Sequence, residues 1–344
     1  MSSAESAGSG SHPPRLVVTG VDGAIARAVL RIARDRYGVA DVVPVLRSPG
    51  GAPAPTVPAG RTVVLVALST DLAQDLRLHR DVRRAELIAM TRDAAAGALA
   101  GGARLVVVTS ARVYGALADN VVPLPEDAPL RAVDDRGLVG DLLVVESEVA
   151  RLSAEHPRLD VTLVRPAAVV GPGVDTTITR HFEPTRPLVL AGTTPLWQFA
   201  HVEDVASGVL AVLDHGLLGA VALASPGWLG RAEVERRLGK RHLELPRALA
   251  VRAAERLHAL GTLSTSGADL AYVGEPWVVA CASLTAAGWA PRYDNVDCVD
   301  ELRRLGESRT RPLAMRRDAA FGTASAAVAL AASAALVRRH RKRG

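Results

Sequence analysis

The sequence predicts an α/β chain built on a doubly wound parallel sheet, shortened after its second strand and followed by a small C-terminal lobe. Continuous apolar, β-branched runs at 16–21 (LVVTGV), 62–68 (TVVLVAL), 104–109 (RLVVVT) and 160–165 (DVTLVR) alternate with segments of helical period. That order places parallel strands in one sheet with helices on both faces. The first run feeds a glycine-punctuated turn, TGVDGAIA at 19–26, and then a helical pattern beginning near Gly23. Apolar residues make up 49% of the 344, ample for a sizeable core.

Taken in order, ADVVPVL at 40–46 reads as the second strand, with Pro44 arguing for an edge or irregular position. A Pro/Gly/Ala loop without periodicity covers 48–60. After the strand at 62–68, helical patterns run over 71–84 and 86–100, and a third over 137–154 precedes the strand at 160–165, which Pro166 ends. Beyond Gly173 the order is less regular: helices over 202–215, 231–238 and 246–260, a short strand near 220–223, and a strand-like WVVAC at 277–281. Such scattered late elements make a small lobe over the carboxyl edge of the sheet.

The net charge of +5 is uneven. Nine Lys and Arg fall from Arg309 onward against Asp318 alone, which leaves residues 1–308 with a net of −3. A mildly acidic body excludes a broad nucleic-acid-binding face. Cys281 and Cys298 form neither a disulfide framework nor a metal-ligand spacing, so a reducing, cytoplasmic location is expected. Residues 1–14 have no signal-peptide pattern and read as a disordered leader.

The glycine turn suits a phosphate. A strand feeding a glycine turn and then a helix aims backbone N–H groups and the positive end of the helix dipole at one point. Gly20 and Gly23 supply the tight turn and close approach, and Ala26 stands at the third glycine of the dinucleotide fingerprint, a variant the pattern allows.

Seven pieces in a fixed order carry a family resemblance: VVTGVDGAIA (17–26), VVLVAL (63–68), VVVTSARVYGA (106–116), PLPEDAPLRA (123–132), VTLVRPAAVVGPG (161–173), WQFAHVEDVASGVL (197–210) and AAGWAPRYDNVDCVDEL (286–302). From about Arg15 to Leu305 the chain resembles the extended short-chain dehydrogenase/reductases of the NAD-dependent epimerase/dehydratase group, and within it an atypical, actinobacterial-like subgroup. The resemblance implies a Rossmann domain over 15–175 holding NAD or NADP, a substrate lobe over 176–308 interleaved with it, and a nucleotide-sugar or related carbonyl substrate. It assigns the cofactor to Gly20, Val21, Asp22, Gly23, Ala24, Ile25, Ala67 and Leu68, with Arg47 a candidate for a 2′-phosphate. Ser110 matches the family's serine, and Arg180, His181 and Arg186 follow the GPG turn, where the family places substrate contacts.

The family's chemistry uses a Tyr with a Lys four residues later, on one helix face, so that the ammonium tunes the phenol. Here, with Glu146 aligned on the family's glutamate, those positions are Leu138 and Leu142. Misalignment does not restore the pair, because no Lys lies between residues 1 and 239 and no Tyr between 115 and 271. Nor does any acidic residue between Val42 and Thr70 await the adenosine ribose, and the short span there implies that a helix and a strand of the usual fold are deleted or reduced to the APAPTVPAG loop. The alternative to an oxidoreductase is therefore a non-catalytic nucleotide- or partner-binding pseudoenzyme. Tyr114 is expected to pack. His201, Glu203 and Asp204 are expected to begin a helix, and no metal site is expected.

The basic tail, 309–344, holds an uncharged Ala-rich stretch at 319–337 flanked by arginines. Its length could just cross a bilayer, but its small residues favour a helix that packs on the protein, on a partner (a second copy, as a homodimer, included) or on an anionic membrane surface through 316–344.

Overall fold

The computed structural model describes residues 16–47, 62–133, 137–259 and 267–309. The leader, the loop over 48–60 and the Ala-rich tail lie outside them, as does the side chain of Arg47. Among the described residues no helix is long and apolar enough to cross a membrane.

The first half runs β1 (Leu16–Val21), α1 (Ala24–Tyr37), β2 (Val42–Arg47), β3 (Thr62–Val66), α2 (Leu72–Asp75), α3 (Arg80–Gly101), β4 (Leu105–Val108), α4 (Leu138–Glu155) and β5 (Val161–Pro166). The second half runs β6 (Ala168–Val170), α5 (Thr177–His181), β7 (Leu188–Leu190), β8 (Leu196–Trp197), β9 (Phe199–His201), α6 (Val202–His215), β10 (Gly219–Leu223), β11 (Leu229–Gly230), α7 (Arg231–Leu238), β12 (Leu243–Leu245), α8 (Arg247–Ala259), α9 (Ala282–Ala286) and α10 (Asn295–Arg309).

Six strands form one parallel sheet in the order β10-β5-β4-β3-β1-β2. Among the described residues β2 is an edge, which suits Pro44, a residue without an N–H to donate. Strand period fixes which helix each side chain meets. Val18, Val64, Val66 and Val106 pack with α1 and α6, whereas Val17, Leu65 and Val107 pack with α3 and α4. A separate apolar cluster built on Phe182, Trp197, Phe199 and Trp277 forms the lobe, which returns β10 to the sheet edge.

Two sequence expectations change. The helical patterns over 71–84 and 86–100 are divided differently: α2 is a single turn capped by Asp71, and α3 begins at Arg80 and runs unbroken through Arg84 and Glu86. The break falls at Leu76–His79, where the chain turns to seat α3 on the sheet. WVVAC at 277–281 makes only an isolated bridge, Leu124 to Val279, rather than a strand.

A buried polar chain ties β4, α4 and β5 together. Arg165 makes a two-pronged pair with Glu146 (Nη2–Oε2 2.7 Å, Nε–Oε1 3.1 Å), and Thr109 donates to Glu146 Oε1 at 2.7 Å. Arg165 also donates to the Tyr114 hydroxyl at 2.9 Å, and that hydroxyl donates to the Glu126 carbonyl at 2.6 Å. With every member partnered, this group positions α4 against the sheet rather than facing a ligand. Tyr114, fully buried, has the expected packing role.

Candidate functional site

Ligands in open parallel sheets bind beyond the carboxyl ends of the strands, where the strand order reverses. Here that point lies between β1 and β3, which place the glycine turn next to the loop Ala67–Asp71. Gly20 has φ +111°, and a Cβ there would lie 2.2 Å from the Val66 carbonyl oxygen. Glycine is thus required by the approach of the two strands themselves. Gly23 is in extended conformation, yet a Cβ would lie 2.6 Å from the Thr70 hydroxyl oxygen.

Thr70 occupies the place that matters for a phosphate. Its buried hydroxyl accepts from the Ala24 N–H, the first amide of α1, at 2.7 Å. The Thr70 loop is in turn strapped to the turn after β6: the Asp175 N–H donates to the Thr70 carbonyl at 2.8 Å, and the Leu72 N–H donates to the Asp175 carbonyl at 3.0 Å. A Cβ on Gly173, in that turn, would lie 3.7 Å from the Ala24 Cβ. The turn therefore has the position and dipole that suit a pyrophosphate, and one of its amides is held by the protein's own hydroxyl. A dinucleotide phosphate fits this turn on condition that it takes that amide over from Thr70. Asp22, at the turn's mouth, pairs with Arg27 at 2.9 Å, and Ile25 is fully buried beneath.

On the other side of the strap a cleft opens between α3 and α4. Val21, Ala67 and Leu68, three of the residues assigned to the cofactor from sequence, line it. So do Leu138 and Leu142, one turn apart on α4. Apolar side chains from three elements, among them Leu72, Leu87 and Met90, complete most of the wall.

Polar groups enter the cleft at its margins and are engaged there. Arg83 donates to Asp141 (Nε–Oδ2 2.9 Å) and to the Asp75 and Leu78 carbonyls, and Arg84 donates to the other Asp141 oxygen at 2.8 Å. Arg112 pairs with Asp269 at 2.5 Å, donates to Thr177 at 3.2 Å and lies 4.4 Å from the centre of the Tyr272 ring; its buried Nε has no hydrogen-bond partner among the described residues. Asp75, at the end of α2, also lines the cleft. Burial pushes its carboxyl up to about 6, against the lowering effects of a hydrogen bond with Ser69 and the nearby Arg83.

Other residues assigned from sequence lie elsewhere. Ser110 is buried, and its oxygen accepts from the Arg112 N–H at 3.3 Å, capping the 3-10 turn Ala111–Tyr114; it does not line the cleft. Arg180 makes a two-pronged pair with Asp175 (both contacts 2.6 Å), which engages the fork expected for a diphosphate. His181 is buried against Phe182 and Trp197, and burial pushes it down to about 3, so it packs as a neutral ring. Arg186 reaches the His242 carbonyl at 3.3 Å, within the lobe. His201 begins α6, its Nδ1 accepting from the Glu203 N–H at 3.3 Å, and Asp204 accepts from the Arg292 and Tyr293 N–H groups, which anchors the C-terminal segment. Thr70 and Asp75 escaped the sequence reading. A hydroxyl just past the strand TVVLVAL, which must end beside the glycine turn, was the signal available for Thr70; Asp75 looks like any helix-surface carboxylate until α3 and α4 bury it.

Residues 60–221 match the sequence model of the NAD dependent epimerase/dehydratase family. Uncharacterized protein Rv0501 of Mycobacterium tuberculosis is 24% identical over 203 residues, 58% of this chain and 54% of the relative; the chain spans about half the length of the curated relatives it matches. Among solved structures, human epimerase family protein SDR39U1 with NADPH superposes with a TM-score of 0.59 at 17% identity, covering 85% of this chain and 99% of that one. RMD from Pseudomonas aeruginosa complexed with NADPH gives 0.59 at 18% identity, over 86% and 100%. At these identities the superpositions show the fold. Over residues 60–221 this chain thus resembles the NAD-dependent epimerase/dehydratase family, on a Rossmann-type sheet.

Proposed function

We propose that the chain binds NAD or NADP at the glycine turn and receives a small molecule in the adjoining cleft, without the Tyr/Lys proton transfer of its family. Support for the cofactor comes from the family match, from the NADPH bound to the two superposed neighbours, and from the position of the turn at the reversal of strand order. A bound dinucleotide would supply hydride chemistry; the chain's part would be to hold its phosphates at Ala24 and to shape the cleft through Val21, Ala67 and Leu68.

The observation that carries the reading is that Leu138 and Leu142 both line the cleft. Neither side chain can hold or move a proton, so a phenol and its tuning ammonium are replaced together. The same observation favours the second reading, a non-catalytic binding module. Ser110, the one residue matching the family's catalytic set, caps a turn and lies outside the cleft's lining. Calorimetric titration of the full chain with NADH, NADPH and UDP-glucose tests the proposal. Heat from a dinucleotide, with no turnover of UDP-glucose, is expected; absence of binding by either dinucleotide overturns the cofactor assignment, and epimerase or dehydratase turnover at ordinary rates overturns the loss of proton transfer.

A further inference from the structure

The cleft beside the glycine turn has a polarity opposite to that of a sugar-diphosphate site. Its wall is largely hydrocarbon, contributed by Leu68, Leu72, Leu87, Met90, Leu138 and Leu142. Against that hydrocarbon a diphosphate or a hexose would lose water from most of its polar groups with few hydrogen bonds in return. The two arginines that line it do not offset this, because Arg83 is held by Asp141 and Arg112 by Asp269. A carboxylate ligand would meet the same difficulty.

One small polar pair does enter the wall. Ser69, in the loop after β3, hydrogen-bonds Asp75, the last residue of α2, and both line the cleft. The groups that act on Asp75 come from each element around it: Asp71 at the start of α2, Arg83 from α3 and Asp141 from α4. Burial outweighs the favourable Arg83, so the carboxyl holds its proton to a higher pH than an exposed one. Protonated, it can donate to a carbonyl oxygen; ionised, it can only accept.

We infer that this cleft is the binding site for a compact, uncharged, largely apolar molecule carrying a single carbonyl or hydroxyl group, with Asp75 and Ser69 forming the polar anchor and Leu138 and Leu142 replacing a proton-transfer pair as binding surface. The inference rests on the preceding reading in taking the cleft as the small-molecule end of the crevice. It needs no bound dinucleotide, so its tests are run without one and fail or succeed separately.

The probes are 2-octanone, octanoate and UDP-glucose, titrated calorimetrically into the full chain. Saturable binding of 2-octanone is expected, with octanoate and UDP-glucose silent. Met90→Trp and Leu138→Trp, which fill the cleft from α3 and from α4, should each abolish it while leaving the circular dichroism spectrum intact; if one variant fails to fold, the other carries the test. Affinity for 2-octanone should be about fivefold greater at pH 5 than at pH 8, the worth of one hydrogen bond, and Asp75→Asn should bind equally at both. Binding of UDP-glucose in preference to 2-octanone, unaltered binding in both folded Trp variants, or a pH dependence that survives Asp75→Asn overturns the inference.

Discussion

At the glycine turn the protein fills a ligand's place with its own atoms, whereas at the cleft it leaves a ligand's place open and changes what that place will accept. The turn keeps the strand, the glycines and the helix end of a phosphate site, and Thr70 holds its first amide. The cleft keeps its position between α3 and α4, but leucines stand at the positions where the family's proton-transfer residues are expected. The backbone geometry of the turn is demanded by the sheet as well as by a cofactor, so it persists whether or not a ligand selects for it. Side chains lining the cleft serve the core as well as a ligand, since Leu87, Met90 and Leu142 also pack in the sheet's apolar cluster, yet they change more readily than a backbone turn does.

The largest effect that would sharpen this contrast is expected at Gly20. Gly20→Ala drives a Cβ into the Val66 carbonyl at a positive φ, and should cost about 3 kcal/mol or more, read as a large fall in melting temperature or as loss of folded protein. A fall of only a degree or two would show that the glycine is there for a ligand and not for the sheet.

Next comes Asp75. An exposed Asp titrates near 3.9, whereas Asp75 is raised to about 6, so the folded state holds this proton more tightly than the unfolded state does. Its contribution is therefore most favourable below about pH 4 and is lost as the pH rises through about 6. Asp75→Asn should remove that slope and leave the variant more stable than the parent at pH 8 by about 3 kcal/mol, measured by urea denaturation across the pH range. Parallel pH profiles for the two proteins would mean that the cleft is wetter than its walls indicate.

The smallest effect concerns Thr70. Its hydroxyl acts as a helix cap, so Thr70→Ala should cost about 1 kcal/mol of stability. Gly23→Ala should cost a similar amount alone, because the new Cβ expels the hydroxyl, and close to nothing in the Thr70→Ala background. Additive losses in this cycle would place the strain elsewhere in the turn. If a phosphate takes the amide over, Thr70→Ala should bind NADPH more tightly than the parent, and weaker binding would indicate that the hydroxyl helps to hold the ligand.

Much of the fold was legible in the sequence because the strands are buried on both faces. Such strands read as unbroken β-branched runs, and the glycine turn marks where the first one ends. The helix boundaries at α2 and α3 were not legible, because the polar residues from Asp71 to Arg84 support either one helix or two, and only docking on the sheet selects the break. For the site, the family resemblance assigned Val21, Ala67 and Leu68 to the cofactor, and all three line the cleft. Arg180, His181 and Arg186 were less predictable, since a sequence shows that a cation is near a turn but not whether Asp175, an aromatic cluster or a backbone carbonyl already engages it.

The sequence by itself determined the α/β class, the position of the glycine turn and the absence of any Lys before Lys240, since these follow from local period and composition. Only the tertiary structure decided that Thr70 lies on the first amide of α1, that Leu138 and Leu142 line the same cleft as Asp75, and that the cleft's arginines are paired. Those facts depend on which side chains from distant segments share one small, poorly hydrated space. There burial moves an ordinary carboxyl to about 6 and makes a hydroxyl the occupant of an amide that water would otherwise hold.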